Sequence, residues 1–160
     1  MACPADLALL RHTLATLGYR AAKALRNAPS DFGDFRLGEG TRTPLEIVGH
    51  LGDLCDWAVH LADGRHVWKE EAPPSWEAGT TRFFAALERL DARLAAGLLS
   101  DATAELLFQG PIADALTHVG QISLLRRRAG APVRGENYLK ADIRAGRVGS
   151  SQPESKVEFD

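Results

Sequence analysis

Asp114 and His118 have the residue types and the spacing needed to bind a metal ion together. On an α-helix, residues four apart lie about 40° apart around the axis, so both side chains point the same way. Such a pair can hold one divalent cation, as the two histidines of a His-Glu-x-x-His helix do. Gln121 follows on the same face. The alternative is an exposed Asp–His pair that stabilises the helix only slightly.

The residues around this pair favour an inward-facing site. Apolar residues cover most of the predicted helix: Ile112, Ala115, Leu116, Val119, Ile122, Leu124 and Leu125. A polar residue in such a helix is expected to face the core, and a buried carboxylate requires a partner or a metal ion. A buried hydrogen-bond network without a metal would meet the same requirement.

His50 on an earlier predicted helix is the other candidate ligand. Glycines beside it would let a second helix come close, and Asp53 and Trp57 share roughly its face. We consider Asp53 a candidate to position or contact the substrate, and Trp57 a candidate wall of a cavity. A lone helical histidine is more often a satisfied core or surface residue, and spacing alone does not bring His50 to Asp114.

Four long helices must position these residues. Apolar residues at three- and four-residue steps predict helices at about 4–26, 43–62, 75–98 and 110–129, with a short helix at 101–108. The clearest start is at Thr43, where Pro44 and Glu46 complete a capping box. Gly110 and Pro111 are expected to open the last long helix. These features predict an all-α fold, a four-helix bundle with its sites in the core.

The last thirty residues lack this periodicity. We expect residues 133–143 to pack over the bundle through Tyr138, Leu139 and Ile143. Residues 146–160 are expected to be extended or poorly ordered. The predicted organisation is therefore one helical domain at 1–145 and a mostly irregular C-terminal tail at 146–160.

Composition excludes several classes of function. The net charge of −2 gives no reason to expect a nucleic-acid partner or an anionic membrane surface. No segment is apolar for the roughly 20 residues that span a bilayer, and no signal peptide is recognisable, so we expect a cytoplasmic protein. Cys3 and Cys55 are too few for a disulfide framework. Arg126 to Arg128 complement the dipole of a helix end.

The remaining histidines and Cys55 are not expected to belong to the metal site. His12 is expected at the surface. His60 lies some 80° from His50 around the helix and is expected to miss the metal, and His66 falls in a connection. Cys55 is interpreted as a small buried hydrophobe rather than a nucleophile.

Two segments together resemble the DinB/YfiT-like metalloprotein superfamily. Residues 43–50 resemble its Thr/Ser-Pro-x-Glu-x-x-x-His stretch, and residues 114–121 its second cluster, which ends in Gly-Gln. The similarity covers roughly residues 5–130. It implies a bundle of the up-down-down-up type in which His50, Asp114 and His118 hold one metal ion. Asp114 stands where the family more commonly has a histidine.

The resemblance also implies a class of activity. Characterised members include thiol-dependent transferases and isomerases, so we expect a divalent-metal-dependent enzyme acting on a small molecule, with a low-molecular-weight thiol as co-substrate. Asp53 and Gln121 are the expected catalytic helpers. Two histidines and a carboxylate suit Zn, Ni, Mn or Fe(II) alike. A metal-dependent hydrolase and a non-catalytic metal-binding stress protein are the alternatives. Close helix packing also suggests a homodimer.

Overall fold

The computed structural model describes residues 4–97 and 99–159, and its secondary structure is mostly helical. Within those ranges the α-helices are α1 (Pro4–Leu25), α2 (Pro44–Ala62), α3 (Trp76–Ala95), α4 (Asp101–Leu107) and α5 (Ala113–Arg128). The strands β1 (Gly135–Glu136) and β2 (Glu158–Phe159) pair antiparallel. The predicted all-α class is confirmed at this level. Cys3 and the predicted end of the third helix at Leu98 lie outside the described residues.

Ion pairs show that α2 and α3 run in the same direction. Arg82, early in α3, pairs with Asp53 at 2.7 Å. Arg93, near the end of α3, pairs with Asp63 just beyond the end of α2 at 2.6 Å. Because later residues pair with later residues, the two axes are parallel.

Contacts of α1 fix the other directions. Arg11 in α1 pairs with Asp91 late in α3, so these two helices are antiparallel. Arg126, at the end of α5, donates to the carbonyl oxygen of Ala24 at the end of α1 at 3.0 Å, so these two are parallel. The long helices α1, α2, α3 and α5 therefore run up, down, down and up. This order makes α2 and α5 antiparallel. The segment before α5 lies near Trp57 in the second half of α2, and the start of α5 therefore lies close to the second turn of α2.

The core between the long helices is apolar. Leu14, Leu51, Leu87 and Ile122 come from different long helices, and all four are fully buried. Burial of these side chains is the main stabilising term, at roughly 1.5–3 kcal/mol for each. Across the described ranges, no helix has both the length and the apolar character needed to cross a membrane.

The start of α2 follows the predicted capping box. The Glu46 amide donates to the Thr43 hydroxyl at 3.2 Å, and the Thr43 amide donates to the Glu46 carboxylate at 2.6 Å. Both bonds satisfy amides that a helix start leaves without partners. The cap fixes the first turn of α2 and hence the height of His50 one turn later.

The predicted helix start at Gly110 is wrong. The chain is already helical in α4 and passes through a π-helical segment, Phe108–Ile112, directly into α5. Pro111 lies inside that segment. In an α-helix its ring would clash with the carbonyl oxygen four residues earlier, and the wider π turn relieves this contact.

The C-terminal segment follows the predicted packing in part. Leu139 is 92% exposed, so its predicted packing on the bundle is wrong, while Tyr138 lies edge-on to Tyr19 and Ile143 packs against the core. Val148 in the tail is buried, and its carbonyl oxygen lies against Gly18 of α1.

A buried polar cluster holds this segment to α1. Lys23 bonds Glu136 at 2.9 Å, Ser155 at 3.0 Å and Glu158 at 2.7 Å, and the Tyr19 hydroxyl donates to Glu136 at 2.6 Å. We call these five residues the α1 clasp. It joins the first helix to both strands of the small sheet.

Candidate metal centre

His50, Asp114 and His118 come together where α2 and α5 cross. One ligand atom from each lies within 4.8 Å of the others. The Asp114 carboxylate lies between the two imidazoles, 3.4 Å from Nε2 of His50 and 3.1 Å from Nδ1 of His118. The structure therefore places the three predicted ligands in one cluster, which we call the triad.

The hydrogen bonds of His118 fix its tautomer. Its Nδ1 lies 3.0 Å from the backbone carbonyl oxygen of Asp114 and 3.1 Å from the carboxylate of the same residue. Both oxygens only accept, so Nδ1 is the donor in both contacts. A metal-binding histidine usually donates its other N–H in this way, which orients the ring.

His50 is prepared to act as a neutral ligand. Burial lowers its pKa, and the nearby His118 lowers it further, whereas the hydrogen bond to Asp114 opposes the shift. The imidazole is therefore neutral at neutral pH, and its Nε2, which faces the Asp114 carboxylate at 3.4 Å, is the nitrogen that a cation would bind in place of the proton. Two imidazoles and one carboxylate form a donor set that fits a divalent cation such as Zn, Ni, Mn or Fe(II).

An aromatic wall covers one side of His50. The Trp68 ring lies edge-on to His50 at 5.7 Å, Trp57 lies edge-on to Trp68 at 5.6 Å, and His66 contacts Trp57 at 5.6 Å. Trp57, expected to wall the cavity, thus reaches His50 through Trp68. Trp68 was missed by the sequence analysis because it lies in the connection after α2, where helical spacing gives no signal.

Two open clefts meet at His50. The first, which we call the apolar cleft, has a volume of about 580 Å³ and contains the triad. Its other lining residues include Leu37, Ile47, Gln121, Leu124 and Leu125. The second, the acidic cleft, has a volume of about 300 Å³ and is lined by Glu46, Asp53, Glu70 and Glu71, among others. Arg42 and His50 line both clefts.

The two predicted helper residues lie in different clefts. Asp53 is buried in the wall of the acidic cleft, where it pairs with Arg82 at 2.7 Å and accepts from the Glu71 amide at 3.2 Å. These contacts anchor the connection that carries Trp68. Gln121 is exposed at the apolar cleft beside His118. A catalytic role for Asp53 or Gln121 stays a prediction.

His12, His60 and Cys55, which the sequence analysis did not include in the site, lie away from the triad. His12 is exposed, and His60 lies nearly three turns beyond His50 along α2. Cys55 is buried, as expected, and burial raises the pKa of its thiol to about 12, so it is not a nucleophile at neutral pH.

Comparison of the chain with known protein families, with curated proteins and with solved structures finds no match. The resemblance to the DinB/YfiT-like superfamily therefore stays a prediction from the motifs at residues 43–50 and 114–121.

Proposed function

We propose that this chain is a divalent-metal-dependent enzyme of the DinB/YfiT-like type, acting by thiol-dependent transfer or isomerisation on a small molecule. The observation that carries the proposal is the convergence of His50, Asp114 and His118 within 4.8 Å at an open cleft. The up, down, down, up order of the long helices is the order that the resemblance implies.

The triad supplies two kinds of ligand atom in this proposal. His50 and His118 each supply a ring nitrogen, and Asp114 supplies a carboxylate oxygen. When bound, a divalent cation lowers the pKa of a coordinated thiol or water and so provides a nucleophile at neutral pH. Gln121 offers an amide that can hydrogen-bond that thiol or water. Asp53, through Arg82, holds the wall of the neighbouring cleft.

The exposure of Asp114 supports a catalytic site over a structural one. The Asp114 side chain is 44% exposed, and the triad opens into a cleft of about 580 Å³. A structural metal site is usually closed by four protein ligands, whereas a catalytic site keeps a position for water or substrate. A non-catalytic protein in which the metal only stabilises the helix bundle is therefore the weaker candidate. A hydrolase would use the same ligands, and only activity assays separate it from a transferase.

Metal content is the first test. The full chain is purified without an affinity tag and analysed by plasma mass spectrometry, with His50→Ala, His118→Ala and His12→Ala as variants. His12→Ala is the matched control because this histidine is exposed on α1. We expect about one metal per chain in wild type and control, and loss of the metal from both triad variants with unchanged helical circular dichroism. No uptake of Zn, Ni, Mn or Fe(II) by wild type would overturn the proposal.

Activity is the second test. The metal-loaded chain is offered thiols with an electrophilic acceptor and, separately, activated esters. Thiol consumption that His118→Ala abolishes supports a transferase, whereas ester hydrolysis without thiol consumption supports the hydrolase and contradicts the proposed reaction class.

A further inference from the structure

Arg42 has a guanidinium in front of the triad without a strong acceptor. Its Nη1 lies 3.5 Å from Nε2 of His118, which is a long contact. Among the described residues, no carboxylate forms an ion pair with Arg42. The other arginine beside the clefts, Arg82, pairs with both Asp53 and Asp56. Arg42 is thus the permanent positive charge available to a ligand at this point.

The guanidinium of Arg42 suits an anionic ligand. The planar fork of a guanidinium matches the two oxygens of a carboxylate and can bind both at once. A carboxylate is therefore a better partner for Arg42 than the ring nitrogen that it now contacts.

The surface next to Arg42 is apolar. Leu37 and Leu124 line the apolar cleft, and each leaves about half of its surface exposed, while Ile47 and Leu125 form the buried part of the lining. A volume of about 580 Å³ falls in the range of small-molecule sites. Covering these leucines would remove apolar surface from water, which favours a ligand with an apolar body.

We propose that the site takes a small carboxylic acid with an apolar body, with its carboxylate bound by Arg42 and its body in the apolar cleft. This inference deepens the proposed function, because it names the substrate class of the same site. Its binding step depends on Arg42 and the cleft, both of which exist without a metal.

Binding of a matched pair of probes tests the inference. The probes are 4-phenylbutyrate and its amide, which share their shape and differ in charge. Their affinities are measured by titration calorimetry at low salt on the full chain, with and without stoichiometric Zn(II). We expect wild type to bind the carboxylate about tenfold more tightly than the amide, since the pair is partly exposed to water. Equal affinity for the two probes, or binding of neither, would overturn the inference.

Variants assign the preference to Arg42. Arg42→Gln is expected to abolish the tenfold ratio between the affinities for the carboxylate and the amide. Arg127→Gln removes the same charge from an exposed residue near the end of α5 that lines neither cleft, and it should keep the ratio. An unchanged ratio in Arg42→Gln, or an equal loss in Arg127→Gln, would overturn the inference.

The metal content of each sample separates this inference from the proposed function. A chain that binds no metal but keeps an Arg42-dependent preference contradicts the proposed function and supports the inference. If the chain binds stoichiometric metal and Arg42→Gln leaves its preference for the carboxylate over the amide unchanged, only the inference is contradicted.

Discussion

Replacing Lys23 by methionine should destabilise the fold by about 3 kcal/mol. In the α1 clasp the Lys23 ammonium contacts the Glu136 carboxylate at 2.9 Å, and the Glu136 side chain is completely buried. Removing one partner of a buried ion pair typically costs about 3–5 kcal/mol, because the other charge stays buried without compensation. The hydroxyls of Tyr19 and Ser155 still reach Glu136, at 2.6 Å and 3.0 Å. We therefore expect a destabilisation at the lower end of this range.

The pH dependence gives this prediction a second signature. Burial acts to raise the pKa of Glu136, but hydrogen bonds from Tyr19, Lys23 and Ser155 outweigh it and leave this pKa below its ordinary value. A carboxyl whose folded pKa is lowered stabilises the fold above its unfolded pKa and loses that contribution as the pH falls through the folded value. The difference in unfolding free energy between wild type and Lys23→Met should therefore narrow as the pH falls below the ordinary glutamate pKa of about 4.3.

Urea unfolding followed by circular dichroism, at pH 7 and at lower pH, measures both effects. Glu158→Gln is the control, because this second partner of Lys23 is partly exposed and its loss should cost less than about 1 kcal/mol. A loss below about 1 kcal/mol in Lys23→Met, or a loss that does not change with pH, would refute the reasoning.

Three further predictions concern the triad and its supports. Because burial lowers the pKa of His50, uptake of Zn(II) should be nearly constant from pH 7 to 8 and decline below about pH 6.5, as measured by competition with a zinc chromophore. Gly49→Ala places a methyl carbon 2.7 Å from a proline ring and should lower the free energy of unfolding by about 1–3 kcal/mol. In contrast, Gly120→Ala meets nothing within 4 Å and should raise it by about 0.5–1 kcal/mol, both measured by chemical denaturation. Arg126→Met should cost about 2–4 kcal/mol in the same assay, because its guanidinium binds carbonyl oxygens at the end of α1, whereas the exposed Arg127→Met should change stability little.

Local sequence signals predicted most of the helices. The start of α2 was predictable because its cap depends only on Thr43, Pro44 and Glu46. Pro111 led to a wrong predicted helix start because its effect does not depend on local sequence alone. A proline is common at a helix start, and only the surrounding structure decides that the helix passes through it.

The candidate site was predictable where helical geometry connects its residues. The spacing of Asp114 and His118 dictates a shared face, but bringing His50 to them depends on how α2 packs on α5, which the resemblance and not the spacing indicated. Arg42 and Trp68 lie outside the helices, so no periodicity pointed to them. Near the C-terminus, the apolar character of a side chain did not predict its burial, since Leu139 is exposed and Val148 is buried.

The π-helical segment at residues 108–112 acts as a one-residue insertion in the last long helix. Because a π turn takes up one residue more than an α turn, deleting one residue there would restore a regular helix and leave the residues after it facing nearly as they do now. Asp114 and His118 would then still face His50. During evolution, a single insertion or deletion within this segment can therefore be accommodated without loss of the triad. In alignments of related chains, a one-residue gap at this point is compatible with all three ligands.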